Sequence, residues 1–297
     1  MKKSYEVLII GGSNAGMSAA MTLGRSLRDV LIIDNGSPCN RQTPHSHNFL
    51  TRDGATPAFL SAVAKEQVLF YTTVQWLDET VSRVEEVDDG FGVNTSGGLQ
   101  FHAKKLILAT GVTDEMLPIP GFAESWGISV LHCPYCHGYE VRKEELAVVS
   151  NGEMALEFMQ LIRQWSPRIQ LLTNGNPTLT KEQMALLEKS GIPVNSSPIK
   201  EIFQKDGYLY QVQLEDGSLI PLKAIFARVP FSQSPIVHQL GLSMNEQGYI
   251  LVNPFQQSSQ PNVFAAGDCT TPMRSVSTAV AQGTMAGAAI NKFLLDW

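Results

Sequence analysis

The chain has 297 residues, 43% of them hydrophobic and 17% charged, with a formal net charge of −6. That length exceeds one small core and suits two nucleotide-binding-sized domains, or one larger α/β unit, in a packed soluble protein. No run approaches the roughly eighteen apolar residues that span a bilayer, and no basic cluster offers a nucleic-acid surface, so neither membrane nor nucleic acid is expected as a partner.

Met1-Lys2-Lys3 begins like a signal peptide, but the apolar stretch Val7 to Ile10 is short and runs into glycines, so the expected compartment is the cytoplasm. Tyr5 to Ile10 reads as a buried strand, Gly11-Gly12-Ser13-Asn14-Ala15-Gly16 as a tight turn, and Met17 to Leu27 as a helix of small and apolar residues. A second strand, Asp29 to Ile33, ends at Asp34, eighteen residues beyond Gly16. A dinucleotide fold places the acid that holds a ribose hydroxyl there. Gly11 permits the turn, Gly16 lets helix and strand approach, and the N–H groups at the helix start receive a pyrophosphate. Ser13 stands where the middle glycine of the fingerprint would be.

Lys105 to Leu108 is a buried-type strand closing on Ala109-Thr110-Gly111. Pro118-Ile119-Pro120-Gly121 reads as a first linker. The most specific chemistry follows in His132-Cys133-Pro134-Tyr135-Cys136-His137-Gly138-Tyr139-Glu140. Two cysteines three apart can close a disulfide at a helix start, where the macrodipole and a neighbouring imidazolium favour a thiolate. A metal site would need a second ligand pair, and there is no second C-x-x-C. Covalent haem attachment, spelled by C-x-x-C-H, needs an exported chain and an axial ligand. Buried structural thiols sit poorly beside Pro, His and Gly, so a redox pair is the favoured reading. Cys39 and Cys269 read as small packed residues.

Leu146 to Val149, Ser150-Asn151-Gly152-Glu153 and the strand Ile169 to Thr173 repeat the nucleotide-binding scaffold with its chemistry damaged. Ser150 and Asn151 replace turn glycines, and Glu153 sets a carboxylate on the first helical turn, against a pyrophosphate. Asn174-Gly175-Asn176-Pro177 carries no arginine for a 2′-phosphate. Losing two charge-assisted contacts of roughly 1.5–3 kcal/mol each removes about two to four powers of ten in affinity, so tight NADPH use is not expected. Pro230 to Pro235 reads as a second linker, Asn262 to Asp268 as a strand closing on Gly267-Asp268, and Arg274 to Leu295 as a small-residue helix whose positive N-terminus, at Ser275 and Val276, suits a bound ring.

In this order the motifs resemble, over essentially the whole chain, the low-molecular-weight thioredoxin reductases among the FAD-dependent pyridine nucleotide-disulfide oxidoreductases. Cys-Pro-Tyr-Cys-His-Gly-Tyr-Glu is most similar to the dithiol oxidase branch, as is Arg41 to Pro57 with His45 and His47. The resemblance implies an α/β fold of two Rossmann-like domains of the three-layer ββα type, the second inserted in the first. Residues 1–114 and 240–297 would form the FAD domain, and 115–239 a degenerate NAD(P)H-type domain carrying the cysteines. It implies FAD held by Gly11 to Gly16, Asp34, Arg41, His47, Ala109, Thr110, Gly111, Gly267, Asp268, Ser275 and Val276. It makes Cys136 the thiol that reacts with the flavin, Cys133 the one that exchanges with substrate, and His137 and His47 the proton carriers, with His45 a weaker candidate. The implied activity is dithiol oxidation with oxygen as acceptor, on a small dithiol or a thioredoxin-like protein, by a homodimer. NADPH-dependent or ferredoxin-fed thioredoxin reduction is the alternative, and a non-catalytic flavin-binding module the rival from another class.

Overall fold

The structure, a computed structural model, describes residues 3–295, so Met1 and Lys2 of the basic start lie outside it. The chain divides into two compact units. Unit 1 takes the chain up to Arg41, Asn48–Thr113 and everything from Phe231 on; unit 2 takes Gln42–His47 and Asp114–Pro230.

Unit 1 opens with β1 (Ser4–Ile10), α1 (Asn14–Arg25), β2 (Val30–Asp34), α2 (Pro57–Leu69), β3 (Val74–Asp78), β4 (Val81–Val87), β5 (Gly90–Thr95) and β6 (Gln100–Leu108). β1 is apolar at every position from Val7 to Ile10 because both its faces are covered. Val7 and Ile9 join one core with α1 residues Met17, Ala19, Ala20 and Leu23. Leu8 and Ile10 join the other, with Phe91 and Val93 of β5.

Unit 2 follows with β7 (Thr113–Asp114), α3 (Phe122–Ser125), β8 (Val130–Leu131), α4 (Pro134–His137), β9 (Leu146–Val149), α5 (Glu153–Ile162), β10 (Ile169–Leu172), α6 (Lys181–Lys189) and β11 (Val194–Asn195). After β12 (Ile199–Lys205), β13 (Tyr208–Leu214), β14 (Leu219–Pro221) and β15 (Ala224–Ala227), the chain returns to unit 1. Its parallel sheet runs β11-β10-β9-β15-β8, and β12-β13-β14 form an antiparallel sheet. The return brings β16 (Phe231–Ser232), α7 (Pro235–Gln239), β17 (Val263–Ala265) and α8 (Val276–Phe293).

The unit 1 sheet runs β3-β2-β1-β6, all parallel. The carboxyl half of β6 pairs parallel with β17, while its amino half pairs antiparallel with β5 of the β4–β5 hairpin. α1 and α8 lie close because their contact is built from small residues. A Cβ on Gly283 would overlap the Ala15 carbonyl, and one on Gly287 would stand 2.8 Å from the Ala19 carbonyl.

The chain crosses at Thr113–Asp114 and returns inside the Pro230 to Pro235 stretch read as the second linker. Pro118 to Gly121 is not a linker: Ile119 and Phe122 are buried in the unit 2 core, and a Cβ on Gly121 would overlap the Ile202 carbonyl. The return falls at Pro230–Phe231, ahead of 240, because α7 buries Ile236 and Val237 in the unit 1 core and Gln239 Oε1 accepts the Val84 N–H of β4 at 3.0 Å.

Candidate functional site

In unit 1 the carboxyl ends of β1, β2, β6 and β17 bring together the residues expected to hold a dinucleotide. Gly11 leaves β1 with φ +103°, and a Cβ there would overlap the Ala109 carbonyl. A Cβ on Gly16 would overlap the Gly11 carbonyl, so the backbone of turn and helix touch as a pyrophosphate loop requires. Ser13 caps α1 without a side-chain bond, and the first turn carries no acid, which leaves its N–H groups for an anion. Asp34 ends β2 beside them: Oδ1 accepts the Gly12 N–H at 2.7 Å and Oδ2 the Gly36 N–H at 3.0 Å.

Gly267 turns with φ +89°, and its N–H donates to Gln282 Oε1 of α8 at 2.7 Å. The Asp268 carboxylate lies 3.6 Å from both Arg274 Nε and Cys39 Sγ. Ser275 caps α8, its hydroxyl oxygen accepting the Thr278 N–H at 3.1 Å, and again the first turn has no acid. Cys269 is buried and holds to the Leu108 and Ala266 carbonyls. Burial first, and then the Asp268 charge, push its thiol up to about 12, which makes it chemically inert. Arg41 is exposed and bonds the Pro38 carbonyl. Gln282, Arg274 and Trp76, whose ring occupies the space of a Cβ on Gly12, were not read from sequence. A glutamine among alanines and glycines was a usable signal; Trp76 gave none, since its contact is made only by folding.

In unit 2, Cys133 and Cys136 form a disulfide around the one-turn helix α4. Cys133 is its N-cap, with Sγ accepting the Cys136 N–H at 3.2 Å, and Pro134 sits in the first turn, where its missing N–H costs nothing. Gly138 is required after the pair: a Cβ would meet the Pro134 carbonyl at 2.6 Å and the Trp165 indole at 2.8 Å. The segment 42–47 belongs to this unit, and it brings His47 Nε2 to 3.6 Å from Glu140 Oε1 and the His45 ring to 6.2 Å from that of His47. Burial first, and then the His47 charge, push the His137 imidazole down to about 4, so it is a neutral base at pH 7. Glu140, the partner of His47, had no role in the sequence reading.

The second turn of the same kind runs from β9 through Ser150, Asn151 and Gly152 into α5, whose first turn carries Glu153. The two turns differ in charge: the first turn of α1 carries no acid, and that of α5 carries one. The pyridine nucleotide-disulphide oxidoreductase model matches residues 5–283. The chain belongs to that family.

Thioredoxin reductase tcpT of Claviceps purpurea is 34% identical over 302 residues, 98% of this chain and 94% of that protein. Among solved structures, an oxidoreductase from Agrobacterium tumefaciens is 36% identical with a TM-score of 0.90, covering 97% of this chain and 98% of that one. The thioredoxin reductase from Streptococcus pyogenes is 25% identical with a TM-score of 0.89, covering 99% of both chains. The protein is therefore a thioredoxin reductase-like flavoprotein oxidoreductase that binds FAD, with two Rossmann-like domains.

Proposed function

We propose that this family member is a dithiol oxidase: it closes a disulfide in a dithiol substrate and passes the two electrons and two protons to dioxygen, giving hydrogen peroxide, without NADPH. The observation that carries it is the contrast between two homologous turns. The α1 turn is free of acid, whereas the α5 turn sets Glu153 where a pyrophosphate would lie.

Bound FAD supplies a two-electron carrier able to take electrons from thiols and release them to oxygen. The rest falls to the side chains. A substrate thiolate attacks Cys133 Sγ and the Cys133–Cys136 bond breaks; the second substrate thiolate then closes on the first, releasing Cys133. His137, neutral and half-buried, takes a thiol proton, and Glu140 orients His47 beside it. The Gly11 to Gly16 turn, Asp34, Arg41, His47, Ala109 to Gly111, Gly267, Asp268, Ser275 and Val276 bind and orient the cofactor. A homodimer in the cytoplasm, acting on a small dithiol or a thioredoxin-like protein, belongs to the same proposal.

The Claviceps and Streptococcus relatives are thioredoxin reductases, which favours a second reading, NADPH-dependent reduction of a thioredoxin-like protein. A protein carrier such as ferredoxin would be its variant. Cys133→Ser and Cys136→Ser variants test the shared chemistry: each keeps its yellow FAD absorbance and loses dithiol oxidation by at least about 10³-fold. Retained turnover in either contradicts the disulfide route and leaves a flavin-binding module.

A further inference from the structure

Taking the protein to work without NADPH, as proposed above, we infer that Asn151 is the residue that shuts the second nucleotide site, acting as a built-in ligand between the two loops a dinucleotide would occupy. β9 and β10 are parallel neighbours, and the loops at their carboxyl ends stand where a Rossmann-type sheet receives a nucleotide. Asn151 belongs to the first loop and its carboxamide reaches the second. Oδ1 accepts the Gly152 N–H at 2.9 Å, the Thr178 N–H at 2.8 Å and the Thr178 hydroxyl at 3.2 Å. Nδ2 donates to the Asn176 carbonyl at 2.9 Å and the Thr173 carbonyl at 3.5 Å.

The carboxamide oxygen is shared by three donors and its nitrogen faces two carbonyls, so the side chain has no polar atom left over. One partner is the Gly152 N–H, at the mouth of α5, where a phosphate would need it. The loop after β10 is fixed on its other side too, because Asn174 Oδ1 accepts the Ile199 N–H at 2.8 Å. Gly152 adopts φ 71°, ψ −157°, a conformation open to glycine alone, and so allows Asn151 to bond its own neighbour. A dinucleotide would have to break these bonds before its phosphate could reach the Gly152 N–H. In unit 1 the residue one place before the helix cap is Gly12, which has no side chain to bridge two loops. Glu153 thus opposes a nucleotide by charge, and Asn151 by occupancy.

The two effects separate in experiment. Asn151→Ala in the FAD-loaded protein raises hydrogen exchange at the Gly152 and Thr178 amides at least tenfold; unchanged exchange at both overturns the latch. Calorimetric titration with NADPH then compares Glu153→Ala with the double variant Asn151→Ala/Glu153→Ala, both checked for retained FAD absorbance. The double variant binds NADPH at least tenfold more tightly. Equal affinity of the two, weak or absent, shows that Asn151 excludes nothing. Bleaching of the wild-type flavin by NADPH contradicts the NADPH-independent function and the latch together, whereas equal affinities without wild-type bleaching contradict the latch alone.

Discussion

At pH 7 the half-buried His137 imidazole is neutral in the folded chain, with its pKa down at about 4 against 6.5 for an ordinary histidine. The unfolded chain therefore takes up a proton near pH 6.5, and the folded chain only near 4. The stability gained by keeping His137 neutral is full above about 6.5 and is lost as pH falls to about 4, a total on the order of 3 kcal/mol. Urea unfolding of the wild type and His137→Gln at pH 7 and pH 4.5 measures it: the wild type loses about 2–3 kcal/mol more than the variant over that interval. Equal losses contradict a His137 held neutral by the fold. The cysteine pair itself was legible from spacing and its flanking Pro, His and Gly. The contacts around it were not, because His47 and Glu140 are 93 residues apart in the chain and only folding brings them to 3.6 Å.

Elements with both faces buried announced themselves most clearly. Val7–Ile10 of β1, Val30–Ile33 of β2 and all of β9 are unbroken apolar runs, and α1 follows a glycine turn that no bulkier residue can form. The hairpin of β4 and β5 escaped, because β4 exposes most of its residues and carries Arg83, Glu85 and Glu86. Proline and glycine at 118–121 marked a turn, and a turn inside a core was mistaken for a linker; burial of Ile119 and Phe122 is a tertiary fact. The small residues of α8 were visible, and the structure gives their reason in the close approach of α1. Gly283→Val forces that pair apart and costs about 1–3 kcal/mol, read as a lowered midpoint in thermal unfolding. An unchanged midpoint would mean that α8 does not need the glycine contact with Ala15.

For the molecule as a whole, two copies of one nucleotide-binding plan have diverged. Unit 1 keeps a glycine turn, an acid-free helix start and Asp34 at the strand end. Unit 2 keeps the sheet but sets Glu153 at its helix start, and it carries the disulfide of Cys133 and Cys136. The most direct test is an anaerobic absorbance titration of the purified holoprotein, first with NADPH, then with a dithiol, followed by admission of air. For a dithiol oxidase, NADPH leaves the flavin band unchanged, the dithiol bleaches it, and air restores it with one hydrogen peroxide per flavin. Bleaching by NADPH within seconds would contradict it and make the protein an NADPH-linked reductase with an altered turn.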